Sequence, residues 1–392
     1  MSPRSKKEYL AAIAKRYKKA TKAQKHLILD EFCAATQYHR KHAIRQLKGF
    51  KRFTKPQPKP RGPKPIYDSP ELLTALRKIW LSANQPCSVR LKASLPLWLP
   101  SYGPTFGELS PQVLRALNTI SAPTIDRLLK SVRVHYKKRG RATTKPGTLL
   151  RKQIPIKTNQ WDESRPGFLE ADTVAHCGDT MAGMYALTVD CVDIATGWTE
   201  QRAVWGKGET GVLEKIRHIE KSLPFPLLGF DCDNGSEFLN YHLLRHFSQR
   251  KKPIQFTRSR AYHKDDNAHV EQKNWTHVRQ WLGYDRLDNP RVVPLLNQLY
   301  SQEWRLFQNF FSPSVKLLAK ERIASKTIRR YDPPKTPYQR VMESPLVTQG
   351  TKNQLTALLK TLNPFQLNAA IKGKLKKIYQ VQFQNDLVKA SR

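Results

Sequence analysis

The segment that decides the fold runs from Gly167 to Val204 and reads GFLEADTVAHCGDTMAGMYALTVDCVDIATGWTEQRAV. Three runs in it, Phe168–Ala175, Tyr185–Val192 and Trp198–Val204, are rich in Val, Leu, Thr and aromatic residues. Gly178, Gly183 and Gly197 punctuate them, as the turns of a three-stranded meander require. Downstream the pattern predicts a helix over 209–222, a strand over 227–233, a helix over 236–250, a strand over 254–258 and a long helix from about 266 to 282. The order βββαβαβα is that of an RNase H-like α/β core: a mixed five-stranded sheet with helices. Residues 291–310 read as further helix, and the tail from Pro313 as a basic region with apolar patches at 355–362 and 378–383.

Upstream, the sequence reads as helical. Residues 5–48 fit three helices, the second capped by Thr21 and the third by Thr36 after a break at Ala34-Ala35. The third carries Arg40, Lys41 and Arg45, as expected of a helix-turn-helix whose last helix enters the major groove. Residues 51–65 (KRFTKPQPKPRGPKP) form a cationic, Pro-rich linker. Ser69-Pro70 opens a second helical unit, and a helix over 121–133 presents Arg127 and Lys130 as a second candidate DNA-contacting face. The expected organisation is therefore a helix-turn-helix unit (1–50), a linker (51–65), a second helical unit (66–135), a basic linker (136–160), the core (161–312) and a basic C-terminal region (313–392).

Charge supports a polyanionic partner. The chain of 392 residues carries 69 Lys and Arg against 31 Asp and Glu, a net +38. Such an excess gains free energy by displacing counterions condensed on nucleic acid. The imbalance is uneven: residues 1–65 hold nineteen bases and three acids, whereas residues 161–290 hold nineteen acids and sixteen bases. Five cysteines without a C-x-x-C pair argue against a disulfide framework. No apolar run approaches the length of a membrane span, which places the expected location in the cytoplasm. Gly206-Lys-Gly-Glu-Thr-Gly211 lacks the Gly-Lys-Ser/Thr ending of a phosphate loop and reads as a strand-to-helix connection. His26, Cys33, His39 and His42 match no usual zinc spacing.

Three acids fall where the expected fold would gather them: Asp172 in the first strand, Asp233 at the end of the fourth, and Glu271 in the long helix. Such a cluster suits Mg²⁺, which takes hard oxygen ligands and keeps positions open for substrate and water. The blocks FLEADTVAH (168–176), DCDNGSEF (231–238) and AYHKDDNAHVEQKNWTHVRQ (261–280) resemble the three signature blocks of DDE transposases of bacterial insertion sequences, whose core is shared with retroviral integrases. The resemblance is close over residues 165–290 and weaker in the helical N-terminal half.

That resemblance implies a catalytic triad of Asp172, Asp233 and Glu271 holding two Mg²⁺ or Mn²⁺ ions. It further implies a transposase that binds the terminal inverted repeats of a mobile element, cleaves DNA, and transfers the exposed 3′-hydroxyl to a target duplex as a homo-oligomer. A catalytically silent DNA-binding regulator and a nuclease of the same fold acting on hybrids or junctions are the alternatives. His263, Asn267 and Lys273 are candidate helpers for phosphate or water. Many relatives carry a basic residue seven positions after the glutamate; here that position is Val278, and Arg279 or His277 is the candidate substitute. Glu170 and Asp231, each two residues before a triad aspartate, read as solvent-facing or lysine-paired, and Asp190 and Asp193 as turn formers.

Overall fold

The computed structural model describes residues 1–49, 67–134, 136, 164–233, 235, 237–259, 268–323 and 326–390. The chain divides into two compact units, Met1–Pro65 and Ile66–Arg392.

In the first unit, helices α1 (Pro3–Lys19), α2 (Lys22–Thr36) and α3 (Arg40–Gly49) enclose a small core of Leu10, Ile13, Tyr17, Ile28, Phe32 and Leu47. Thr21 caps α2 as expected, with Gln24 completing a reciprocal capping box. Thr36, by contrast, does not open α3. It is the last residue of α2, buried, and its hydroxyl donates to the carbonyl of Phe32 one turn back. Gln37 then takes a left-handed conformation, φ 59°, and ends the helix. The break therefore falls two to three residues later than the Ala34-Ala35 pair suggests, because two alanines favour helix rather than interrupt it.

The second unit begins with α4 (Pro70–Ser82), α5 (Ser88–Trp98), α6 (Tyr102–Phe106), α7 (Pro111–Thr119) and α8 (Ala122–Val134). Ser69 caps α4 with Pro70 at the first helical position, and the Ser121 hydroxyl accepts from the Thr124 amide at the start of α8. The meander follows as β1 (Phe168–Ala175), β2 (Ala186–Asp193) and β3 (Thr199–Trp205). Next come α9 (Glu209–Ser222), β4 (Gly229–Cys232), α10 (Tyr241–Ser248) and β5 (Gln255–Arg258). The sheet order is β3-β2-β1-β4-β5, with β2 antiparallel to β1 and β3, and β1, β4 and β5 mutually parallel. This is the RNase H-like arrangement, established by strand order and register.

One face of the sheet, through Leu169, Ala171, Leu187 and Phe230, packs on α9 and α10. The other face receives α11 (Ala268–Lys273), a π-helical stretch (Asn274–Arg279) and α12 (Gln280–Leu282). Helices α13 (Val292–Leu299) and α14 (Arg305–Phe311), joined through a second π-helical stretch (Tyr300–Trp304), pack beside them. Residues of α4, α5, α7 and α8 share a single apolar cluster with this second face, Trp98 meeting Phe307 and Phe311 edge-on.

The tail is more ordered than its sequence suggests. Strands β6 (Leu317–Ile323) and β7 (Lys326–Tyr331) form an antiparallel pair, followed by α15 (Pro337–Glu343), α16 (Gln349–Thr361) and α17 (Pro364–Ala390). Phe365, Ile371, Leu375 and Ile378 of α17 join the cluster around Trp98. The two apolar patches read from sequence are thus parts of helices that complete the core of the second unit.

Strand β3 lies at the sheet edge, where unpaired backbone groups would invite pairing with another chain. Two asparagines close it. Asn309 of α14 accepts from the Thr199 amide and donates to the Thr199 carbonyl, both at 2.9 Å. Asn297 of α13 does the same for Ala203, again at 2.9 Å on each side. Each side chain mimics a strand's own peptide group. Replacing Asn309 by Ala leaves both Thr199 groups buried and unpaired, so equilibrium denaturation should show a loss of about 1–3 kcal/mol or more. An unchanged midpoint would show that the edge is held by packing alone.

Candidate active site

Side chains alternate along β1, so Glu170 and Asp172 leave the same face of the sheet, toward α11 and the π-helical stretch. Register brings Asp190 of β2 opposite Asp172, and Asp231 of β4 beside Glu170. Asp233 follows β4, and Glu237 lies in the turn beyond it. Six carboxylates therefore gather on one stretch of sheet, and the surrounding structure treats each differently.

Glu170 is not solvent-facing. It is buried, and its Oε2 accepts from the backbone amides of His269 and Val270 at 3.0 and 3.2 Å. A β1 carboxylate thus holds the start of the helix that carries Glu271, where the helix dipole favours negative charge. Asp231 is also buried and accepts from the Thr257 hydroxyl of β5. Asp193 behaves as a turn former: its carboxylate accepts from the amides of Gly167 and Thr196 and from the Thr196 hydroxyl. Asp190 does not. It is fully buried within β2, and neither of its oxygens has a hydrogen-bond partner. Its position at the end of an apolar run suggested a turn, but β2 continues to Asp193.

Asp172 and Asp233 meet at the heart of the cluster. Asp172 accepts from the Thr173 amide at 2.7 Å and from Asn274 Nδ2 at 2.6 Å. Burial, and then the charge of Asp233, push its carboxyl well above the usual carboxylate range. Asp233 accepts from the Gly235 amide at 2.9 Å. Burial pushes it up to about 6 against that hydrogen bond, and the charge of Glu237 adds to the rise. A Cβ on Gly235 would lie 2.8 Å from the Glu237 carboxyl carbon and 2.9 Å from Asp233 Oδ1, so any side chain there would displace one of the two carboxylates. Glu237 Oε1 accepts from the Thr173 hydroxyl at 2.7 Å. Its Oε2 is buried without a hydrogen-bond partner, with Lys207 Nζ 3.9 Å away. The Cys232 thiol, pushed well up by burial and by the charges of Asp233, Asp231, Glu237 and Asp172, reports the same concentration of negative charge.

Glu271 lies on α11, the helix anchored by Glu170, with an exposed side chain. The described residues hold no group of three His, Cys, Asp or Glu side chains placed to bind a metal ion. Asp172 and Asp233 are thus brought together, while Glu271 stands on the adjoining helix. Among the candidate helpers, His263 and Asn267 lie outside the described residues. Lys273 is buried, its amine 3.4 Å from His277 Nε2. Arg279 donates to the carbonyls of Ala175 and Gly283 and stacks over the Tyr284 ring, so it fixes the end of β1. The sequence reading missed Asn274, Thr173 and Glu237. Asn274 was findable, standing three residues after Glu271 on the same helix face. In the first unit, Arg40 is tied to Asp30 and His26, whereas Lys41 and Arg45 are exposed. Arg127 and Lys130 are exposed on α8.

The fold and the cluster define an RNase H-like α/β protein with an acidic site where β1 and β4 lie side by side. No protein-family profile matches the chain. The uncharacterized protein y4rM of Sinorhizobium fredii (strain NBRC 101917 / NGR234) is 38% identical over 337 residues, spanning 85% of this chain and 94% of that protein. The chain belongs to the family of that protein. Similar solved structures include the catalytic core domain of BIV integrase, 13% identical over 44% of this chain and 91% of that one, TM-score 0.27. Another is a simian T-cell lymphotropic virus intasome in complex with the PP2A regulatory subunit B56 gamma, 14% identical over 64% of this chain and 76% of that one, TM-score 0.31. At these scores the fold assignment rests on strand order and register.

Behind Asp172, burial pushes Asp190 up to about 8 and Lys273 down to about 7, outweighing their mutual attraction. Between pH 4 and 7 the Asp190 carboxyl stays protonated in the folded chain but ionises once unfolded. The unfolded state then binds fewer protons, and stability falls as pH rises through this window. Asp190→Asn keeps the shape of the neutral acid. The variant should lose that decline, gaining on the wild type steadily from pH 4 to pH 7 in urea titrations; parallel pH profiles would refute a buried neutral acid.

Proposed function

We propose that this protein is a divalent-metal-dependent DNA transposase of the DDE class, which cleaves DNA at the ends of a mobile element and joins them to a target. The observation that carries this reading is the pair Asp172 and Asp233. Two carboxylates, one in β1 and one just after β4 of an RNase H-like sheet, are held half-buried beside each other at a cost that protein groups only partly offset. The donor set fits Mg²⁺ or Mn²⁺: the oxygens are hard, and Glu237 Oε2, without a hydrogen-bond partner and met only by Lys207 Nζ at 3.9 Å, adds negative charge beside them. Asp172 and Asp233 would hold the ions together with Glu271, whose helix packs on β1 and β2. Bound there, such ions supply an activated attacking oxygen and charge stabilisation for the leaving one.

The remaining work falls to this chain's own residues. Asn274 fixes the rotamer of Asp172, and Glu170 fixes the helix that presents Glu271. The Gly235 amide orients Asp233, and Thr173 holds Glu237 beside it. Lys41 and Arg45 of α3, with Arg127 and Lys130 of α8, would contact the phosphates of element ends and target duplex. Two ends must be handled together, which calls for a homo-oligomer on DNA. No helix among the described residues is long and apolar enough to cross a membrane.

Asp172→Asn, Asp233→Asn and Glu271→Gln should each lower metal-dependent cleavage of element-end DNA by about a hundredfold or more, roughly 2.7 kcal/mol of barrier. Binding to the same DNA should change little. Near-normal cleavage by any one variant would remove that residue from the triad, and a wild type that binds but never nicks would favour the regulator. Lys41→Ala and Arg45→Ala should each flatten the salt dependence of DNA binding by about one unit of slope. Arg40→Ala should flatten it less, because Asp30 and His26 already engage that guanidinium. Equal slopes for all three variants and wild type would move the DNA-binding face away from α3.

A further inference from the structure

On the far side of the π-helical stretch from Asp172 lies a cavity of about 310 Å³. It is bounded by the turn after α4, the start of α5, the helix of Lys273 and His277, and the end of α14. No Asp or Glu is among the residues that line it. Arg90, Lys273 and His277 do line it, and Arg90 has no ion pair among the described residues. His277 is only 5% exposed, and its Nδ1 has no hydrogen-bond partner. Helix α5 begins at this cavity with Cys87 as its N-cap and no side-chain hydrogen bond to its first turn. A helix start without a side-chain cap, a permanent guanidinium and a buried imidazole Nδ1 without a hydrogen-bond partner all favour an anion.

A bare oxyanion would leave much of this space unfilled. The volume lies at the lower end of the range for small-molecule sites, about 300–1,000 Å³. Trp281 and Phe311 provide apolar wall, while Gln308 provides an amide group beside it. The π-helical stretch that presents His277 is itself a conformation found frequently at functional sites. We propose that this cavity is a nucleotide-binding site, taking the phosphate of a mononucleotide beside Arg90 and His277 and its base against the Trp281 and Phe311 wall. The phosphate is carried either by a free nucleotide or by the terminal residue of a DNA strand. The inference stands apart from the cleavage reading, since it uses no residue of the Asp172–Asp233 cluster.

Titration calorimetry on the full chain tests it, with deoxyadenosine 5′-monophosphate, deoxyadenosine and inorganic phosphate as probes. Enough chloride is added to screen the general surface charge. The monophosphate should saturate one site, and deoxyadenosine should bind far more weakly. Arg90→Gln should weaken the monophosphate by about tenfold or more, and Asn84→Asp, which places a carboxylate at the rim, should also weaken it. Arg245→Gln, an exposed charge removed elsewhere, should leave it unchanged. A duplex with a 5′-phosphorylated overhang assigns the strand end if it outcompetes its 5′-hydroxyl counterpart only when Arg90 is present. Monophosphate binding without that discrimination assigns the free nucleotide. No saturable binding at millimolar monophosphate, equal binding by Arg90→Gln, or deoxyadenosine binding as tightly as its phosphate would overturn the proposal. Asp172→Asn should bind the monophosphate as wild type does, so loss of cleavage and loss of this site are read separately.

Discussion

Burying like charges is the constraint around which this sheet is organised. Glu170, Asp172, Asp190, Asp231, Asp233 and Glu237 leave β1, β2, β4 and the turn after β4 within a few residues of one another, in surroundings where repulsion is poorly screened. Four of them are settled locally. Glu170 takes two helix amides, Asp231 a threonine hydroxyl, Asp193's neighbour Asp190 a proton, and Glu237 half its need from Thr173. What is left over is concentrated between Asp172 and Asp233. Pairs of titratable groups pushed apart from their usual ranges by specific neighbours mark functional sites more often than structural ones.

The parts of this arrangement legible in the sequence were those with a short-range signature. Alternation of Val, Leu and Thr announced the meander, and the Asp-Asn-Gly-Ser-Glu-Phe block marked the end of β4. The rest depended on distant partners. Glu170 finds its amides a hundred residues away, so nothing near it in sequence distinguishes a helix anchor from a surface acid. Asp190 looked like a turn residue because the strand's apolar run falters there, although the strand itself runs on. In the tail, the cationic hairpin lacks clean alternation, and the apolar residues of α17 are spread around the helix rather than along one stripe, since it packs against several neighbours at once.

The edge of the sheet follows the same logic as its centre. A buried peptide group, like a buried charge, has to be answered, and Asn297 and Asn309 answer Ala203 and Thr199 from helices that the sequence shows only as apolar periodicity. The helices that close the edge also carry Phe307, Phe310 and Phe311 into the cluster shared with α4, α5 and α17. The carboxylate site is therefore backed by one continuous apolar body spanning residues 72 to 378. Its geometry is set by packing contributed from both ends of the second unit.

The π-helical stretch after Lys273 changes how positions along this helix should be counted. Wider turns there take in one residue more than an α-helix of the same span, so every later side chain lags its usual bearing by about 100°. Counting from Glu271, the angular place that an unbroken helix gives to its seventh successor falls here to the eighth. That successor is Arg279 rather than Val278, and Val278 is left free to face the core.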